Sequence, residues 1–138
     1  MRDNDNIPPL LPPDQMPPII DQASLEDAWH RLLGALGFDT PQLWLLFIDG
    51  DRPRHVVNIE DVPLDPTPAD LDGVLSMLGH IVGDQRSCAI LYARPGGPVR
   101  TPGDLAWARG LAGETGGWPI HLANDIELRV AAPDDLAA

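Results

Sequence analysis

The chain contains no lysine, and each of its nine basic residues is an arginine. This excludes phosphate-loop and Schiff-base chemistry, both of which need a lysine amine. Cys88 is the only cysteine, so neither an intrachain disulfide nor a cysteine-rich zinc site can form. Only three serines occur, Ser24, Ser76 and Ser87, and none sits in a G-x-S-x-G elbow, so a serine hydrolase of that type is excluded. No G-x-G-x-x-G segment or phosphate loop follows a strand pattern. No apolar run reaches the roughly 18 residues a membrane-spanning helix needs. Basic charge is scarce as well. Nine arginines against 21 acids leave a net charge of −12, which argues against a nucleic-acid partner held through its phosphates. The N-terminus lacks a basic stretch followed by an apolar one, so no secretory signal is expected and the expected location is the cytoplasm.

What is present reads as one domain behind a tail. Pro8, Pro9, Pro12, Pro13, Pro17 and Pro18 keep the first 23 residues out of helix and ladder, so residues 1–23 are expected to be extended or disordered outside the core. Leu10, Leu11, Met16, Ile19 and Ile20 in this tail leave open that it lies against the domain or a partner. Residues 24–138 are expected to form the domain.

Ser24 reads as the N-cap of a first helix, with Asp27 at N3. Leu25, Ala28, Trp29, Leu32, Leu33 and Leu36 form its apolar stripe, and Gly37 ends it. Residues 43–48 are an apolar run expected to be a strand buried on both faces. Residues 49–53 turn the chain, and residues 55–59 return as a hairpin strand. Thr67, Pro68 and Asp70 are cap, N1 and N3 signals for a second helix. Its stripe is Leu71, Val74, Leu75, Leu78 and Ile81 or Val82, and Gly83 stops it. Residues 87–93 form the next strand, and Arg94-Pro95-Gly96-Gly97-Pro98 is a rigid bend. Thr101, Pro102 and Asp104 repeat the start signals for a third helix, with Leu105, Ala108, Leu111 and Ala112 inward and Gly116-Gly117 at its end. Residues 119–123 and 126–131 form a final hairpin about Asn124-Asp125. The order α-β-β-α-β-α-β-β predicts an α/β, three-layer α+β domain with a mixed sheet flanked by helices.

Few residues offer chemistry. His30, His55, His80 and His121 are not spaced as metal ligands, so each is expected to be solvated or hydrogen-bonded. Cys88 falls inside an apolar strand, where a thiol behaves as a small hydrophobe. Asp49 and Asp51 flank Gly50, but the other ligands of a calcium loop are missing and a turn is expected. No cofactor is implied. Arginine in place of lysine, with abundant alanine, glycine and proline, is the usage of a high-GC bacterial genome.

The segment from Leu91 through Gly97, followed by Thr101-Pro102-Gly103-Asp104, carries a strand into a Pro-Gly-Gly bend and then a capped helix. Here the sequence resembles the JAB/MPN domain, and its RadC-like branch in particular. In that family a strand ends in His-x-His-Pro-Ser-Gly, and Ser-x-x-Asp opens the following helix. The helix at Ser24, the strand end Leu46 to Asp49, the hairpin return, the second helix and Trp118-Pro119-Ile120-His121-Leu122 come in the same order. The resemblance covers residues 24 to about 132 and implies the JAB/MPN (cytidine-deaminase-like) architecture. In active relatives the two histidines and the aspartate hold zinc, and a glutamate near the first strand is the general base for the zinc-bound water.

This chain departs from that set. Tyr92 and Arg94 stand where the histidines would be, and a guanidinium has no lone pair for zinc. The motif serine is missing, with Thr101 the nearest hydroxyl, and Gln42 and Leu43 occupy the place of the glutamate. Only Asp104 remains, and as an N3 acid it also serves the helix, as Asp70 does in the second one. Metal ligation is therefore not expected. Tyr92, Arg94, Arg100, Thr101 and Asp104 are the candidate ligand-binding residues. Arg94, Arg100 and Arg109 could hold an anion at the helix N-terminus, while an internal ion pair of Arg94 or Arg100 with Asp104 would close the site. The resemblance with its departures implies a non-catalytic interaction or regulatory protein, with a protein partner at the tail or the Arg94 loop. The alternatives are a metal-dependent hydrolase and a small-anion sensor.

Overall fold

A computed structural model describes residues 15–81 and 86–131. Its elements are α1 (Gln22–Leu33), β1 (Gln42–Asp49), β2 (Arg52–Glu60), α2 (Pro68–Ile81), β3 (Arg86–Ala93), α3 (Pro102–Leu111), a 3-10 turn (Ala112–Glu114), β4 (His121–Ala123) and β5 (Leu128–Val130). The strands form one mixed sheet in the order β2-β1-β3-β4-β5. β3 and β4 are parallel and joined through α3, and the other neighbours are antiparallel.

Side-chain alternation explains the continuous apolar runs. Leu43, Leu45 and Phe47 of β1, with Cys88, Ile90 and Tyr92 of β3, pack beneath α2 and α3. Leu46 and Ile48, with Ala89, Leu91 and Ala93, face α1 on the other side. Each central strand is therefore buried on both faces, as its composition requires. Alanines 89, 93 and 123 are small, which leaves room on the α1 side for Trp29, itself fully buried. The result is three layers, helix on sheet on helix. Among the described residues, no helix is long and apolar enough to cross a membrane.

The chain's first described residues lie against the domain, one of the alternatives that the aliphatic residues of the tail leave open. Met16 and Ile19 are buried in the α1 cluster, and the Ile19 amide donates to the Asp51 carbonyl at 2.7 Å. Ile20 is exposed, and Leu10 and Leu11 lie outside the described residues.

α1 also starts earlier than its sequence signals suggest. Asp21, not Ser24, is the N-cap, and Ser24 sits at N3. The Asp21 carboxylate accepts from the Ser24 amide at 2.9 Å, and the Ser24 hydroxyl accepts from the Asp21 amide at 3.0 Å. This reciprocal box satisfies two donors at once. The Ser24 amide first, and then the Ser24 hydroxyl, hold the Asp21 carboxyl below the usual range. Asp27 instead pairs with Arg31 one turn on, at 2.7 Å. Gly34, at φ +67°, ends the helix, so Leu36 and Gly37 lie beyond it.

α2 starts at Pro68 after Thr67, whose amide donates to Asp70 at 2.8 Å. Leu78 is buried, and Leu71, Val74 and Leu75 are half-buried against the core. Val82 and Gly83 lie outside the described residues. In α3 the buried stripe is Gly103, Asp104, Trp107, Ala108 and Leu111, while Leu105 and Ala112 are only half-buried. Gly103 is needed for close approach: a Cβ there would collide with the Leu64 carbonyl oxygen, so the loop before α2 can lie directly on the first turn of α3.

Candidate functional site

The candidate residues lie where β3 and β4 end side by side. The Arg94 amide donates to the Ala123 carbonyl at 3.1 Å, which ties the exit of β3 to the end of β4. Alternation along β3 points Arg94 to the same face as Tyr92, beneath α3. There the guanidinium meets Asp104 in a two-pronged ion pair. Nε donates to Oδ1 at 2.7 Å and Nη2 donates to Oδ2 at 2.9 Å. Both side chains are nearly buried, at 7% and 5% exposure. Nη1 donates to the Pro95 carbonyl at 3.0 Å, and Nη2 also donates to the Val99 carbonyl at 2.8 Å. These four bonds use four of the five N–H donors of Arg94.

Asp104 is equally committed. Its Oδ2 also accepts the Thr101 amide at 3.0 Å, and its own amide donates to the Thr101 hydroxyl at 3.1 Å, completing the cap of α3. The bond to Asp104 raises the pKa of Arg94 further and outweighs the cost of burial. Charge at the site is neutralised from within.

Tyr92 stacks on Trp107, with ring centroids 5.8 Å apart and planes inclined at 30°. Its hydroxyl is buried without a hydrogen-bond partner. Burial drives its pKa upward, the Asp104 carboxylate adds to the rise, and Arg94 opposes it. The structure thus brings Tyr92, Arg94, Thr101 and Asp104 together. Arg100 is directed away, donating to the Val130 carbonyl of β5 at 3.3 Å. Arg109 lies exposed in the last turn of α3.

A groove of about 350 Å³ opens beside the pair, lined by Leu64, Asp65, Pro95, Pro102 and Gly103 together with Arg94 and Thr101. The loop on its rim is held by Asp125, a residue that sequence reasoning treated only as part of a turn. The Gly96 amide donates to Asp125 Oδ2 at 2.8 Å, and the Phe38 amide donates to Oδ1 at 2.9 Å. These two amides hold the Asp125 carboxyl below the usual range.

The site does not fit a catalytic zinc ion as it stands. Both oxygens of Asp104 are occupied, and a permanent cation sits beside them. Among the described residues, no three or more His, Cys, Asp or Glu side chains gather to hold a metal. Cys88 is buried and its thiol is pushed up to about 12 by desolvation, as expected of a structural thiol. His30 and His55 are exposed, and the side chain of His80 lies outside the description.

His121 forms a contact that no local pattern announces, because its partner is 95 residues away. Its imidazole is fully buried, and Nε2 lies 3.1 Å from Oε2 of Glu26 on α1. Burial lowers the pKa of His121, Glu26 opposes that shift, and His30 adds to it. The unfolded chain therefore takes up the proton more readily than the folded one below about pH 6.5. Stability should be full above that pH and fall as pH drops below it, with a slope of at most about 1.4 kcal/mol per pH unit. Chemical denaturation from pH 7.5 to 5 should show this slope, and His121→Gln should flatten it. An unchanged slope in the variant would remove His121 as its source. Asp21 and Asp125 add loss of the same sign only further down, as pH approaches their ordinary value of 3.8 and passes below it.

Compared with known protein families, with curated proteins and with solved structures, the chain matches none.

Proposed function

We propose that this chain is a non-catalytic protein of the JAB/MPN type, from the RadC-like branch, acting in the cytoplasm as a protein-interaction or regulatory module. A protein partner would be reached through the proline-rich N-terminal segment or the Arg94 loop, with no role for nucleic acid or membrane. The observation that carries this reading is the Arg94–Asp104 pair. It occupies the place where the resemblance would put a metal centre, and it ties up the one acid that such a centre would share with this chain. The mixed sheet with helices on both faces is compatible with the architecture. The anion-sensing alternative draws less support, because Arg94 would have to release Asp104 before it could hold another anion.

The hydrolase alternative is tested by metal content. Protein purified without chelator should carry far less than one zinc per chain by elemental analysis, since a zinc site needs about three protein ligands. Stoichiometric zinc that survives dialysis would overturn the non-catalytic reading. The JAB/MPN assignment has its own test in the double variant Tyr92→His/Arg94→His, which sets two imidazoles on one face of β3 beside Asp104. Zinc should raise the melting temperature of this variant and leave that of the parent unchanged. A variant that folds but ignores zinc would count against the assignment.

A further inference from the structure

The two edges of the sheet are built differently. β5 is three residues long and offers little to pair with. β2 is nine residues long, and among the described residues nothing pairs with its outer side. Edge strands of this length are templates for pairing unless they are guarded. The guards here sit at one end only: Pro53, and Arg54, which bulges out of register between Phe47/His55 and Ile48/Pro53. From His55 to Glu60 the register with β1 is regular, and the strand carries β-branched Val56, Val57 and Ile59, all half-buried.

We propose that this edge pairs with the same edge of a second copy of the chain, antiparallel about a twofold axis perpendicular to the sheet. The charge pattern of the strand selects that occupant. Its first half carries Arg52 and Arg54, the latter 3.9 Å from Asp49 of its own chain, and it ends on Glu60, with Asp61 just beyond. Two chains each carrying −12 repel on random encounter, so a stable contact must be one in which opposite charges meet. Antiparallel self-pairing achieves this at both ends at once. A perpendicular twofold keeps α1 on one side of the joined sheet and α2 with α3 on the other, so residues of like facing meet. With Val57 on the axis, His55 lies opposite Ile59 and Arg54 comes beside Glu60 of the other copy. Val57 and Ile59 already pack on the α2–α3 core of their own chain. In the pair they form one aliphatic strip across the two joined edge strands of a ten-stranded sheet. The interface is isologous, so it closes at two copies and does not propagate.

The test is the mass of the full chain by light scattering, from micromolar to millimolar concentration. The expected result is a concentration-dependent rise from 14.9 kDa to twice that value. Arg54→Glu and Glu60→Arg should each weaken the dimer at least about tenfold by opposing like charges, and the double variant should restore it. Circular dichroism checks that each variant is folded. Hydrogen exchange should show protection appearing with the dimer at the alternate amides of residues 55–60 that point away from β1. A monomer throughout the range overturns the proposal, and so does a dimer that the single reversals leave intact. Protection already complete in dilute monomer also overturns it, because a segment of the same chain would then cover the edge.

Discussion

Replacing Arg94 by alanine should destabilise the chain by about 3–5 kcal/mol, the range for removing one partner of a buried ion pair. Attraction between Arg94 and Asp104 is the smaller part of that loss. What remains is a carboxylate only 5% exposed that keeps the Thr101 amide as its contact. The Pro95 and Val99 carbonyls lose their guanidinium donors as well. Natural domains hold only about 5–15 kcal/mol in total, so a large share of the margin would go. Asp104→Ala should cost a similar amount, since it strands the guanidinium and removes the cap bond to Thr101. The double variant Arg94→Met/Asp104→Leu should recover most of the loss, because apolar replacement of a whole buried pair is often neutral or better. Urea denaturation of the parent, Arg94→Met, Asp104→Leu and their combination forms a double-mutant cycle. If the single variants each lose less than about 1 kcal/mol, the pair is solvated and does not close the site.

That pair shows how far the sequence could be read. The bend after β3 and the cap of α3 were legible, because proline, glycine and an S/T-x-x-D spacing act locally. An ion pair at Asp104 was one of two readings, but the choice between Arg94 and Arg100 was not legible. It depends on which arginine follows Tyr92 by two along β3, and on how near β4 and β5 come. Arg100, only six residues further on, is drawn to Val130 instead. Local signals also misplaced α1 by one turn. Asp21 and Ser24 are both good caps, and only the reciprocal bonds between them decide which is N-cap and which is N3. A stripe phased on Leu105 leaves Trp107 off the inner face of the third helix. The true stripe turns about one residue away, where Asp104 and Trp107 share the inner face. Contacts such as His121 with Glu26 and Asp125 with Phe38 join segments far apart in the chain, and no periodicity encodes them.

Trp107→Ala is the second large effect expected, also about 3–5 kcal/mol, as for truncation of other fully buried aromatic residues. The indole is 1% exposed and connects three parts of the structure. It stacks on Tyr92 of β3 and lies on the inner face of α3. Its Nε1 donates to the Pro63 carbonyl at 2.9 Å, just ahead of the loop that crosses the first turn of α3. Removing it opens a cavity beneath the loop and beside a tyrosine hydroxyl that already lacks a partner. Trp107→Phe keeps an aromatic ring against Tyr92 but loses the bond to Pro63, so it should cost much less, on the order of 1–2 kcal/mol. Denaturant midpoints should therefore fall in the order parent, Trp107→Phe, Trp107→Ala, with the slope of the transition unchanged. Equal losses in the two variants would mean that the bond to Pro63, rather than the buried ring, holds the loop in place. A negligible loss in Trp107→Ala would mean that α3 does not lie on β3 through this side chain, and the position of Asp104 against Arg94 would fall with it.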